Sequence, residues 1–196
     1  CHTGIVKHTV LHNPTAAALS LDGLSLSLDK PRPGEWPFPP GISLSPGEFL
    51  LIWCDATRPA SAHPEPDLNC GRTLASQGGG VYLFNPTGQL VDLVEFGFQM
   101  PDLSFGRTAS SWTLLSAPTP RAANADPALR GDNLNLRFNE WMAGDSDADW
   151  LELYNLEPLP VDLGGMLLTD DPSLAGQTNH AVRPLTFIAG HGHALW

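Results

Sequence analysis

Basic residues are scarce in this chain. Lys and Arg number 10 among 196 residues against 21 Asp and Glu, which leaves a formal net charge of −11. The few cations are scattered and form no stripe, so the phosphate neutralisation on which nucleic-acid binding rests has no footing. The same shortage argues against docking to an anionic membrane surface. No apolar run approaches the roughly 18–20 residues needed to span a bilayer. Charged residues make up only 16% of the chain, and no stretch is rich in Ala, Glu, Lys and Leu together, so long helices are not expected. Familiar catalytic motifs are missing too. There is no Gly-x-Ser-x-Gly elbow for a nucleophilic serine. Gly78-Gly-Gly80 is followed by neither a Lys nor a helical pattern, so it is not a phosphate loop. Asp92, Glu95 and Asp102 have no neighbour suited to acid–base work. The chain opens on Cys1 in mid-pattern, so the lack of a leader peptide says nothing about compartment.

What the chain does have is turn-formers, with Gly and Pro at 19 each, and 42% hydrophobic residues, enough for a packed core. That balance predicts short strands joined by turns. Residues 8–13 and 19–28 read as strands. In the second, Leu19, Leu21, Leu24, Leu26 and Leu28 alternate with Ser or Asp, and Asp22-Gly23 interrupts the alternation. A half-buried strand with a kink is expected there. Residues 30–41 carry five prolines, which predicts a rigid extended loop pinning Trp36 and Phe38 against the core. Glu48–Trp53 is a continuous apolar run after the Ser45-Pro-Gly47 turn, and is expected to be a central strand. Val81–Phe84 and Leu90–Phe96 flank Asn85-Pro-Thr-Gly88 and predict a hairpin. Ser104–Arg107 and Trp112–Leu115 read as short strands, and Leu134–Trp141 alternates again. The expected class is all-β, arranged as a sandwich.

The chain also repeats itself. Thr9–Asn13 and Leu19–Asp29 recur as Leu151–Asn155 and Val161–Asp171, 142 positions on, with Asn13 matching Asn155 and Gly23 matching Gly165. With a slip of one residue, Ile42–Gly47 through Trp53 matches Leu185–Gly190 through Trp196. A period this long marks a duplicated domain rather than a solenoid. Residues 1–120 are expected to form a first module with an unclear first strand. Residues 121–133 form a linker, and 134–196 the front half of a second module.

Taken in order, these pieces resemble one family. Phe138-Asn-Glu-Trp-Met142, Asp149–Asn155 and Pro160–Gly165 through Asp171 resemble the opening of bacterial lamin-tail domains. Ile42–Trp53, Gly78–Phe84, Asn85–Asp92, Phe96-Gly97, Ser104–Arg107 and Trp112 through Pro120 with Ala123-Asn124 are similar to the remainder. The resemblance implies immunoglobulin-like β-sandwich modules. It also implies a non-catalytic extracellular or cell-surface role, structural or in protein–protein contacts. An alternative is an accessory domain of a larger secreted enzyme or c-type cytochrome whose active part lies elsewhere. A third reading is a Ca²⁺-stabilised adhesin. A half-module would expose strand edges to which another protein could add a strand.

The candidate sites are few. Asp145, Asp147 and Asp149 stand at alternate positions, where a curled loop could converge carboxylates on Ca²⁺, and Asp170 and Asp171 could add ligands if the sandwich brings the loops together. Trp150 stands where an EF-hand loop needs Gly, and the other reading is a solvated turn. Cys54 and Cys70 flank a Pro-rich excursion that has no core of its own and needs an anchor, which favours a disulfide and an oxidising compartment. Cys1 is then the odd cysteine. It reads as an ordinary residue at a fragment boundary, as the lipid-anchored first residue of a lipoprotein, or, with His2, as the tail of a Cys-x-x-Cys-His haem attachment motif. His8 with His12, and His191 with His193, share strand faces at metal-ligand spacing but lack a third ligand. The six tryptophans read as core and loop anchors, with an exposed carbohydrate platform as the other option.

Overall fold

The computed structural model describes residues 7–109, 111–144, 149–171, 173, 175–176 and 180–196. Among the described residues its regular elements are strands, with a short 3₁₀ turn at Asn133–Asn135. The chain forms two compact units. Unit 1 is Cys1–Glu95 with Thr119–Ala123, and unit 2 is Phe96–Pro118 with Asn124–Trp196.

Unit 1 carries β1 (Lys7–His12), β2 (Leu19–Ser20), β3 (Ser25–Leu28), β4 (Trp36–Pro37), β5 (Ser43–Leu44), β6 (Phe49–Cys54), β7 (Leu68–Asn69), β8 (Gly79–Phe84) and β9 (Leu90–Phe96). One sheet runs β1-β6-β7 and another β4-β3-β8-β9, with β2 paired to β5. The apolar run therefore becomes the middle strand, antiparallel to β1 and parallel to β7. The expected kink falls at Gly23, whose φ of 77° lies in the left-handed region that a glycine enters freely. The core gathers Leu21, Leu26, Leu28, Leu44, Ile52 and Leu68 beneath Trp36 and Phe38. The proline loop pins those two rings as its composition predicts.

One expectation changes. The Leu–Ser alternation predicts a strand with one wet face, yet β3 is buried on both. The proline loop itself covers the serine face. The Ser27 hydroxyl accepts the Arg32 N–H, the Ser25 hydroxyl accepts the Gly34 N–H, and Glu35 accepts the Leu28 N–H, each at 2.9–3.1 Å. Glu35 is held in turn by Arg32 and Arg72. Small hydroxyls suit this position because the loop's N–H groups satisfy them at close range.

Unit 2 carries β10 (Phe105–Arg107), β11 (Trp112–Leu114), β12 (Leu136–Met142), β13 (Trp150–Asn155), β14 (Val161–Asp162), β15 (Phe187–Ile188) and β16 (His193–Leu195). Its largest sheet runs β12-β13-β16, with β14 paired to β15 and β10 to β11. Its core is Leu153, Val161, Leu163, Val182 and Ile188.

The sequence boundary at residue 120 and the packing boundary differ, because Phe96–Pro118 clusters with unit 2. The aromatic contacts give the reason. Phe105 stacks on Phe187, Phe98 meets Trp196 edge-on, and the Gly97 N–H points at the carbonyls of Pro184 and Leu185. Strand order in the sequence carries no information on which core a terminal hairpin covers.

The segments matched in the sequence make matching backbone bonds in the two units. Leu24 N–H donates to Leu21 as Met166 donates to Leu163, and Phe38 N–H donates to Leu24 as Val182 donates to Met166. These bonds fix the returning arm two residues out of step with the outgoing arm, where the sequence match suggests one. Glu48 of unit 1 therefore corresponds to Gly192, and Gly47 to His191. Both Gly47 and His191 have positive φ, at 74° and 53°.

Each copy turns on one buried asparagine. Asn13 and Asn155 are fully buried. Asn13 Nδ2 donates to the carbonyls of Ala17, Leu44 and Ser45, while its Oδ1 accepts the Thr15 N–H and hydroxyl. Asn155 Nδ2 donates to Leu159 and Ala189, and its Oδ1 accepts the Glu157 N–H. A side-chain amide carries donors and an acceptor on one short stem, so it can satisfy the outgoing turn and the returning arm at once.

Candidate functional site

Asn69 anchors the excursion between Cys54 and Cys70. Asn69 Nδ2 donates to the carbonyls of Asp55, Arg58 and Pro59 at 3.0–3.1 Å, and its Oδ1 accepts the Asp55 N–H. Leu68 beside it is fully buried in the core. The two cysteines are nevertheless brought together as buried free thiols in hydrogen-bond contact. That contact and burial push the Cys54 thiol upward, so it stays protonated. Cys70 is the easier of the pair to ionise, because the bond from Cys54 stabilises its thiolate.

The remaining candidates do not assemble. Cys1 and His2 lie outside the described residues, as do Asp145 and Asp147. Asp149 is exposed and its carboxylate accepts the Gly144 N–H at 3.1 Å. Asp171 is occupied by the Ser173 N–H, which lowers its carboxyl. Among the described residues no three His, Cys, Asp or Glu side chains converge on a metal position. His191 and His193 do not share a strand face, since His191 sits in the left-handed turn before β16.

His8 and His12 do share a face, but each is engaged by an aromatic ring. His8 meets Trp53 edge-on at 5.8 Å, and His12 stacks on Phe49 at 4.2 Å. Burial holds the His8 imidazole below its ordinary value. The corresponding positions of unit 2, Tyr154 and His193, lie 4.6 Å apart. The imidazole–aromatic pair is thus kept in both copies with its members exchanged. Such pairs brace an outer sheet face.

The tryptophans divide. Trp36 is core, and its Nε1 donates to the Ser61 carbonyl at 3.2 Å. Arg107 lies over the ring of Trp112 at 5.0 Å. Trp141 is different, being 73% exposed, with Phe138 at 67% on the same strand. Their position makes this informative. Phe138 is registered opposite Leu153 and Trp141 opposite Leu151, and Leu151 exchanges both backbone bonds with Trp196. Directly paired residues point to one face. Leu153 is core and Trp196 packs on it, so both exposed rings belong to the core face of their sheet. Phe98 reaches Trp196 from that side. Phe138 and Trp141 stay uncovered.

Sequence reading missed this surface because alternation places a residue on a face without saying whether anything lies over it. No protein-family description, curated protein or solved structure matches the chain.

Proposed function

We propose that this chain is a non-catalytic, protein-binding module of an extracellular or cell-surface protein. Its units are immunoglobulin-like β-sandwiches of lamin-tail type. The observation that carries the reading is the pair Phe138 and Trp141, apolar rings on the core face of a sheet yet largely in water. Both stand on β12, which among the described residues is an edge strand of its sheet. An edge strand with large exposed apolar side chains is a template for another chain. Backbone bonds supply affinity in such contacts, and side-chain pockets supply selectivity. The acidic balance of the chain, at −11, favours a partner surface of positive charge.

Selection from a displayed library of extended peptides and hairpins tests this. The full chain is the bait, and the chain carrying Phe138→Ser and Trp141→Ser is the counter-bait. The expected outcome is enrichment of sequences with alternating apolar residues that bind only the unaltered chain. Equal enrichment on both baits, or none, refutes the reading.

A further inference from the structure

The two units carry matching rings on faces turned away from their cores. On β1, Leu11 packs on the core, so His8, Val10 and His12 lie on the outer face, with Trp53 opposite His8 and Phe49 opposite His12. On β13, Leu153 is core and pairs with Ala194, which puts Trp150, Tyr154 and His193 outside. At the 142-residue spacing Trp150 stands for His8 and Tyr154 for His12, and the two-residue offset brings His193 onto Phe49. His12 and Phe49 lie nearly parallel, at 9° with centroids 4.2 Å apart, and Tyr154 and His193 lie at 31° and 4.6 Å. His12 and His193 are exposed. Along β1 the two ring pairs stand four residues apart, about 13 Å at the rise of a strand. Half-buried Val10 and buried Leu51 fill the interval. Strand pairing fills edges and not faces, so a further strand in either sheet leaves these rings where they are.

Each face also holds a guanidinium and a carboxylate. In unit 1, Arg121 Nη2 donates to Asp67 Oδ1 at 2.8 Å, and the same oxygen accepts Trp53 Nε1 at 3.5 Å. Arg121 stands at φ 61°, a backbone that costs any side chain free energy and that tends to mark functional positions. In unit 2, Arg137 is registered opposite Tyr154, and Glu152 accepts the Asn139 amide.

We propose that the outer faces of the β1/β6 and β13/β16 ladders each bind a neutral β-1,4-linked polysaccharide, with the ring pairs stacked against its sugar rings. This goes beyond the protein-binding reading and uses the face of the unit 2 sheet opposite to Phe138 and Trp141. Equatorial substitution leaves such sugars flat, with C–H groups on both sides, and those hydrogens meet the negative face of an aromatic ring. Hydroxyls on the sugar rim match the donors of Arg121 and the acceptors of Asp67. His8, kept neutral by burial, adds one donor and one acceptor. The guanidinium and carboxylate of unit 1 balance, and a chain at −11 turns away polyanions, so the occupant is uncharged. An open sheet face suits the middle of a long flat chain rather than its end.

The probe is cellohexaose, titrated calorimetrically into the full chain, with alginate and dextran as the anionic and α-linked comparisons. Two sites per chain are expected, and neither comparison should bind. His12→Ala should weaken the unit 1 site, and His193→Ala the unit 2 site, by about tenfold each, the loss of one stacked ring. Both side chains are exposed, so the circular dichroism of these variants should match the parent. Arg121→Gly separates binding from folding further. It removes the guanidinium and relieves the positive φ, while the exposed ion pair it loses contributes little to stability. It should therefore raise the melting point of unit 1 while weakening its sugar site. Three results overturn the proposal. One is no heat of binding with cellohexaose. Another is binding that the histidine and Arg121 variants all leave unchanged. The third is alginate or dextran binding as tightly as cellohexaose.

Discussion

Replacing Asn13 should unlock unit 1, and the choice of replacement separates the reasons. Asn13 is fully buried and its side chain makes five hydrogen bonds, three of them donated by Nδ2 to carbonyls at 2.8–3.1 Å. Asn13→Ala leaves those carbonyls and the Thr15 N–H short of partners. Each bond contributes about 1 kcal/mol net, each group left buried and unpaired costs about 1–3 kcal/mol, and water entering the gap returns part of that. A loss of about 3 kcal/mol is expected, which for a unit of this size moves the melting point by about 12–20 °C. Asn13→Asp keeps the shape but cannot donate when ionised, and it sets a negative charge against three carbonyl oxygens. It should be worse than Ala at neutral pH. Burial and those oxygens would raise the introduced carboxyl above its unfolded value of about 3.9. A raised carboxyl contributes stability in full below its unfolded pKa, and that contribution is lost as pH rises through the folded pKa. The Asp variant should therefore recover toward the parent near pH 3–4, while the Ala variant should not. Urea unfolding followed by tryptophan emission across pH 3–8 measures both. A loss below about 0.5 kcal/mol for Ala, or an Asp variant no worse than Ala at pH 7, refutes the account of Asn13 as the pin of the copy.

Two further outcomes follow from the thiols and the turn. Oxidised glutathione should convert Cys54 and Cys70 to a disulfide by exchange: the Cys70 thiolate forms the mixed disulfide, Cys54 displaces reduced glutathione, and two hydrogens leave the protein. The closed loop should add about 3 kcal/mol in the chain-entropy model. Non-reducing peptide mapping and a paired melt should show both, and an unchanged melting point in the oxidised protein would refute the gain. His191→Gly should stabilise unit 2 by about 0.5–1 kcal/mol, because His191 holds φ at 53° where the other copy has Gly47. Gly47→His should cost unit 1 a similar amount, and opposite signs in urea unfolding are the check.

The strands were legible where alternation and turn chemistry agreed. β6 follows from its apolar run, the kink at Gly23 from Asp-Gly, and the hairpin turn from Asn85-Pro-Thr-Gly88. The role of Asn69 in holding the excursion was not legible, because a lone Asn in a polar stretch does not report three carbonyls converging on it. The second buried face of β3 was not legible, because the cover comes from a loop whose path no period reports. Nor was the placement of Phe96–Pro118, since Phe105 could stack on an aromatic residue of either copy. The keystone asparagines left a signal in the repeat itself. A polar residue that recurs as Asn13 and Asn155 beside alternating leucines marks a buried amide with partners on both sides. The uncovered rings of β12 left none.

The two-residue offset between the arms of the repeat has a consequence for engineering. The rungs on either side of the tip are conserved between copies: Leu26 with Trp36, and Leu168 with His180. All the extra length of the second copy therefore lies between Leu168 and His180. In unit 1 the matching stretch is fastened to Ser25 and Ser27 and could not lengthen without uncovering them. The stretch 169–179 is two residues longer than its unit 1 counterpart, 27–35. A short epitope or fluorophore-binding tag spliced there should leave the melting behaviour of both units intact.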